Sequence, residues 1–170
     1  MKKLILLTLL FTVFFSTAQK KELRNANKFF ISGEYSSAID LLDSAKDIFD
    51  SSDDKIKSQV MLLYGKLHTS MEDFELAMKA FDMSKNLGTN DQILNPEIRK
   101  LETAIITSAV GDNETENYSS AAKKLKMVYD LNTEINQEYL YYAASSAVNS
   151  LDYPLACLLY TSDAADDTLC

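Results

Sequence analysis

Few residues of this chain have the type and spacing that chemistry requires. His68 is the only histidine among 170 residues. A lone imidazole serves as general base or metal ligand only with partners. No second histidine stands four residues away, and no HExxH segment occurs. The expectation for His68 is therefore packing in or beside a core. One His and the two Cys cannot complete a four-ligand zinc site without carboxylates. Asp112, Glu114 and Glu116 have the one-three-five spacing of a calcium loop, but Asn117 stands where that loop needs Gly and Lys123 where it needs Glu. This predicts a solvated turn. Gly33, Gly65, Gly88 and Gly111 are too scattered for a phosphate-binding loop. Tyr139, Tyr141 and Tyr142 could form a binding patch, although core packing with some boundary exposure is the expectation. Asn113-Glu114-Thr115 and Asn117-Tyr118-Ser119 match the glycosylation tripeptide, which is set aside because the leader is of bacterial type. No catalytic, cofactor-binding or metal-binding residue is expected, and no enzymatic activity.

Composition agrees with that restraint. Hydrophobic residues make up 46% and charged residues 25%, as in an ordinary globular chain. Only 4 Gly and 2 Pro argue against an all-β protein, which needs many turns. A net charge of −8 and a pI near 4.6 give no electrostatic footprint for nucleic acid.

The two ends carry different signals. Met1-Lys2-Lys3 is positive, residues 4–15 (LILLTLLFTVFF) are apolar, and Ser16-Thr17-Ala18 supplies small residues before a cut. This is the layout of a secretory signal peptide over 1–18, with cleavage predicted between Ala18 and Gln19. At about 1.5 Å per residue the apolar run is too short for a ~30 Å membrane core. A periplasmic or secreted protein with no stable membrane insertion after cleavage is expected. At the other end, residues 157–167 (CLLYTSDAADD) resemble the translation of a transposon adapter used in sequencing libraries. Residues 157–170 are therefore read as an artefact tail, with the natural protein expected to continue beyond Ala156. Both cysteines, Cys157 and Cys170, fall in that tail, so 19–156 offers no disulfide or redox chemistry.

The positioning elements come from a repeat. Gly33-Glu34-Tyr35-Ser36-Ser37-Ala38, Glu72-Asp73-Phe74-Glu75-Leu76-Ala77 and Glu116-Asn117-Tyr118-Ser119-Ser120-Ala121 share one pattern, and Leu151-Asp152-Tyr153-Pro154-Leu155-Ala156 is a fourth copy. The aromatics at 35, 74, 118 and 153 are 39, 44 and 35 residues apart. Helical periodicity flanks each turn, as in Ile39, Leu42, Ala45 and Phe49 after the first.

This pattern resembles the tetratricopeptide repeat, a helix-turn-helix unit of about 34 residues. The family places a small residue in helix A, matched by Ala26, Gly65 and Ala144. It places an aromatic at the turn, matched by Tyr35, Phe74, Tyr118 and Tyr153. It places Ala early in helix B, matched by Ala38, Ala77, Ala121 and Ala156, and a second small residue later, matched by Ala45 and Ser84 but not by the bulkier Val128. The chain departs from the family at Asp50 and Gly88, where its terminal Pro is missing, and inserts Ser51 to Lys55 after the first unit. The third unit is expected to lengthen its turn over 111–117 (GDNETEN). Its helix A has no fixed register and is expected to start at Asn95-Pro96, a cap followed by a first-turn proline.

The resemblance implies an all-α, right-handed superhelical solenoid of antiparallel helix pairs, with about 3.5 repeats over 19–156. It implies a concave groove lined by helix A, where a protein or peptide partner binds without covalent chemistry. Asn27, Phe30, Gln59, Leu62, Lys66, Thr69, Tyr141 and Ser145 would line it. The family's clamp for a C-terminal carboxylate does not carry over, because Leu23 and Leu63 occupy positions where it needs Lys and Asn. The expected function is an interaction scaffold in the cell envelope of a Gram-negative bacterium. The alternative is that these repeats are the N-terminal adaptor of a longer envelope protein whose further domain is catalytic or peptidoglycan-binding.

Overall fold

The computed structural model describes residues 19–163, so the signal-peptide reading of 1–18 and the last seven residues of the tail lie outside the described residues. Among the described residues the chain is all-helical, with nine helices and no strand. In order they are α1 (19–31), α2 (Tyr35–Ser44), α3 (Lys46–Asp50), α4 (Asp54–Ser70), α5 (Phe74–Asn86), α6 (Asp91–Glu114), α7 (Tyr118–Leu131), α8 (Gln137–Asn149) and α9 (Tyr153–Asp163). The chain divides into two compact units, Met1–Glu97 and Ile98–Cys170, with the boundary inside α6.

One turn is built four times. Gly33, Glu72, Glu116 and Leu151, each two residues before the repeat aromatic, adopt φ of 78°, 61°, 61° and 61°. In each turn the next residue's N–H reaches back to close the preceding helix: Glu34 to Phe29 O (2.9 Å), Asp73 to His68 O (2.9 Å), Asn117 to Asp112 O (2.7 Å) and Asp152 to Ala147 O (2.9 Å). The left-handed residue itself donates three residues back, to Phe30, Thr69, Asn113 and Val148. These paired bonds satisfy carbonyls that a helix end would otherwise orphan. Only the first copy uses glycine. The other three hold L side chains in a conformation that costs about 1–2 kcal/mol relative to a right-handed one. Glu72→Gly and Glu116→Gly should therefore each stabilise the chain by about 0.5–1 kcal/mol, part of the gain being lost to the freer unfolded glycine. Thermal unfolding followed by circular dichroism checks this; a lower melting temperature for both variants would contradict the turn geometry.

Each turn aims the same small residue inward. Ala38, Ala77 and Ala121 are fully buried, and Ala156 nearly so. In the first unit, Leu23 and Ala26 of α1, Ala38 and Leu42 of α2, Phe49 of α3 and Ile56, Val60, Leu63 and Leu67 of α4 make one core. α4 begins where the Asp53 carboxylate accepts from Ile56 N at 2.8 Å, satisfying one of the orphan donors of the first turn. It packs along α5, with Gly65 directly beneath the ring of Phe81. Ser84, the later small residue of that unit, is buried with its hydroxyl donating to Ser58 O at 2.8 Å, so no buried polar cost is left there.

In the second unit, Ala109 of α6, Ala122 and Leu125 of α7, Leu140, Ala143, Ala144 and Ala147 of α8 and Ala156 and Leu159 of α9 form the core. α7 packs on α8 and α8 on α9. Five of these nine side chains belong to alanines of α6 to α8, which lets helix axes approach closely.

The third repeat differs from the sequence expectation in two ways. Its helix A begins at Asp91, not at Asn95-Pro96; Asn90 caps it, its side chain accepting from Gln92 N at 2.7 Å. Pro96 lies inside α6, where it removes one intrahelical bond. Leu94, Leu101, Ile105 and Ala109 are all buried at helical spacing, so one apolar stripe runs past the proline and holds the helix together. The turn over 111–117 is also not lengthened. Residues 111–114 complete α6, and Thr115 to Asn117 form the same short turn as in the other copies. The 44-residue spacing comes from the extra length at the start of α6.

Candidate functional site

With the turn as a ruler, the residue nine positions before each aromatic is Ala26, Gly65, Ala109 or Ala144, and all four are buried. This fixes the register that sequence alone left open in the third repeat. The positions implied to line a groove stand five, eight, twelve and fifteen residues before the aromatic. In α6 they are Thr103, Ile106, Val110 and Asn113, none of which the sequence marks as a groove residue. Nine residues of spacing between a buried small residue and the turn aromatic was the signal that would have found them.

The eight expected residues divide between the two units. Asn27, Phe30, Gln59, Leu62, Lys66 and Thr69 lie in Met1–Glu97, and Tyr141 and Ser145 in Ile98–Cys170. Within the first unit, α1 and α4 bring Phe30 and Lys66 together. The Lys66 ammonium sits 4.8 Å from the centroid of the Phe30 ring, a cation–π contact worth about 0.5–1 kcal/mol when exposed. Phe30 also leans on Tyr35, ring centroids 5.8 Å apart. Asn27 and Thr69 instead bond to their own helices, Asn27 Nδ2 to Leu23 O at 3.2 Å and Thr69 Oγ1 to Gly65 O at 2.7 Å. Gln59 is exposed and Leu62 half-buried. In the second unit Tyr141 is exposed and Ser145, one turn later on α8, is half-buried.

Two polar constellations lie outside the expected set. Tyr64 of α4 donates to the Asp43 carboxylate of α2 at 2.5 Å. Burial first, then that hydrogen bond and the charges of Asp43 and Asp50, push the Tyr64 phenol well above its ordinary range. The hydroxyl therefore stays protonated and ties α2 to α4. His68 stacks on Tyr64 with ring centroids 6.1 Å apart, and its Nδ1 lies 3.4 Å from Asp73 Oδ2. It is half-buried beside the turn.

The second constellation straddles the third turn. Asp112 and Lys124 stand six residues either side of Tyr118, a symmetry that sets them level on α6 and α7. Lys124 Nζ is 2.7 Å from Asp112 Oδ2 and donates to Ser108 Oγ at 2.8 Å. Burial raises the Asp112 carboxyl, but Lys124, Ser120 and Asn117 outweigh it and hold the group below the usual carboxylate range. Nearby, Ser146 of α8 donates to Asn113 Oδ1 at 3.0 Å. These contacts fasten α6, α7 and α8 of the second unit.

Asp112 is thus spent on an ion pair, while Glu114 and Glu116 are exposed. Among the described residues no group of three or more His, Cys, Asp or Glu is close enough to hold a metal, and no helix is long and apolar enough to cross a membrane. No family model matches the chain, and no curated protein or solved structure matches it either.

Proposed function

We propose that this chain is an interaction scaffold of the cell envelope, built of tetratricopeptide-like repeats, that recognises a peptide or protein with the faces of its A helices and performs no covalent chemistry. The observation that carries this reading is the fourfold turn. The same left-handed residue, the same pair of backward hydrogen bonds and the same buried alanine recur at each repeat aromatic. A helix pair of this kind cannot bury its own apolar face, and stacked copies share one core. Such an array leaves one row of A-helix residues free to vary, and here that row mixes polar and apolar side chains. In this reading the repeats form a right-handed solenoid with A helices on its concave side.

The Phe30–Lys66 pair gives the row in the first unit its character. An aromatic face and an ammonium side by side suit a peptide that offers both an apolar side chain and a carboxylate or carbonyl. Peptides selected from a random displayed library against the intact chain provide the probe. Their affinity, read by fluorescence anisotropy, should fall about tenfold or more for Asn27→Ala combined with Lys66→Ala. Lys79→Ala, on the exposed side of α5, should leave it unchanged. Equal affinity for all three proteins would exclude the groove.

A further inference from the structure

α8 carries three tyrosines within four residues, and the second unit does not bury them as a core. Tyr139 packs half-buried against that core, but Tyr141 is 59% and Tyr142 46% exposed. The Tyr142 ring meets Tyr139 at a centroid distance of 5.9 Å and 76°, and Tyr141 at 5.8 Å and 67°. Tyr142 thus meets both neighbours edge-on, and the rings of Tyr141 and Tyr142 keep part of their surface open to solvent.

The surroundings are one-sidedly acidic. Glu138 stands three and four residues before Tyr141 and Tyr142, the spacing of neighbours on one face of α8, and Glu102 lies on α6. Burial and then both carboxylates raise the Tyr139 phenol, so both lie within electrostatic reach of it. Among the described residues neither Glu102 nor Glu138 has a cation paired with it. From 98 to 163 there are five Lys or Arg against nine Asp or Glu, and none of the five lies beyond Lys126.

We propose that this face binds a basic peptide, seating a Lys or Arg side chain on the rings of Tyr141 and Tyr142 with its charge answered by Glu138. A tyrosine face attracts a cation within about 6 Å of its centroid, and an arginine plane also stacks on it. The carboxylate selects the occupant: an apolar partner would desolvate it without compensation, and an acidic one would be repelled. Tyr160 touches Tyr141 at 6.2 Å but lies in the stretch read as adapter translation; the tyrosines of α8 form the site without it. Of the proposed groove residues only Tyr141 is shared, so this site stands or falls separately from the Phe30–Lys66 pair.

The test uses the whole chain and a fluorescein-labelled peptide of three Gly-Ser-Arg repeats, with a Gly-Ser-Gln peptide as control, read by anisotropy. The arginine peptide should bind and the glutamine peptide should not. Tyr141→Leu with Tyr142→Leu should weaken binding about tenfold, and Glu138→Gln about threefold. Tyr142→Phe, which keeps the ring, should bind as wild type, as should Lys79→Ala on the exposed side of α5. Undiminished binding by the double leucine variant, with its helical spectrum intact, would overturn the site. So would equal binding of the glutamine peptide.

Discussion

Gly65→Ala is expected to lower stability by about 1–2 kcal/mol, the reverse of its usual effect. In a helix interior, glycine to alanine ordinarily gains about 0.5–1 kcal/mol. Here a Cβ on residue 65 would lie 2.5 Å from Phe81 Cδ1 and 2.8 Å from Cζ, and closer still to Cε1. The ring cannot swing away, because Phe81 is 1% exposed and belongs to the packed face of α5. Overpacking of this kind costs about 1–3 kcal/mol and outweighs the gain in helix propensity. Gly65→Val should be worse. Phe81→Leu shortens the obstructing side chain, so the double variant Gly65→Ala with Phe81→Leu should be more stable than the two single losses predict, by about 1 kcal/mol or more. Urea unfolding of the four proteins measures this cycle. Simple additivity would mean that α4 and α5 do not approach at Gly65.

Ala109→Leu carries the other large effect, expected at about 3 kcal/mol from an overpacked site with no room to yield. Ala109 is wholly buried in the core it shares with Ala122, Leu125, Ala143 and Ala144. Its neighbour Val110 is 49% exposed, so Val110→Leu should change stability by less than about 0.5 kcal/mol. The pair tests the register of α6 directly. A harmful Val110→Leu beside a harmless Ala109→Leu would rotate the helix by one residue and break its alignment with Ala26, Gly65 and Ala144.

Much of this fold was legible in the sequence because the repeat carries its own punctuation. Tyr35, Phe74, Tyr118 and Tyr153, each followed three residues later by alanine, locate four turns. The structure closes all four with the same backbone hydrogen bonds. What misled was local chemistry at two places. Asn95-Pro96 is a good helix start by cap and proline preference, yet the buried stripe from Leu94 to Ala109 carries the helix through it. Likewise 111–117 is rich in polar turn formers, but the backward bond from Asn117 to Asp112 fixes the turn at the same place as in the other copies. Tertiary packing overrides local preference in the first case, and a helix-closing backbone bond decides the second. Pairings such as Tyr64 with Asp43, or Phe30 with Lys66, join residues 21 and 36 positions apart. Helical periodicity assigns such residues to faces but does not say which faces meet.

In the proposed scaffold the A helices, not the B helices, meet the partner. Site-specific photocrosslinking of a library-selected peptide tests it most directly. A benzophenone amino acid is placed one position at a time at Phe30, Gln59 or Lys66 on A helices, and at Leu76, Lys79 or Met83 on α5, a B helix whose side chains there are exposed. Peptide adducts are expected from the A-helix positions and none above background from α5. Adducts from α5 alone would contradict this.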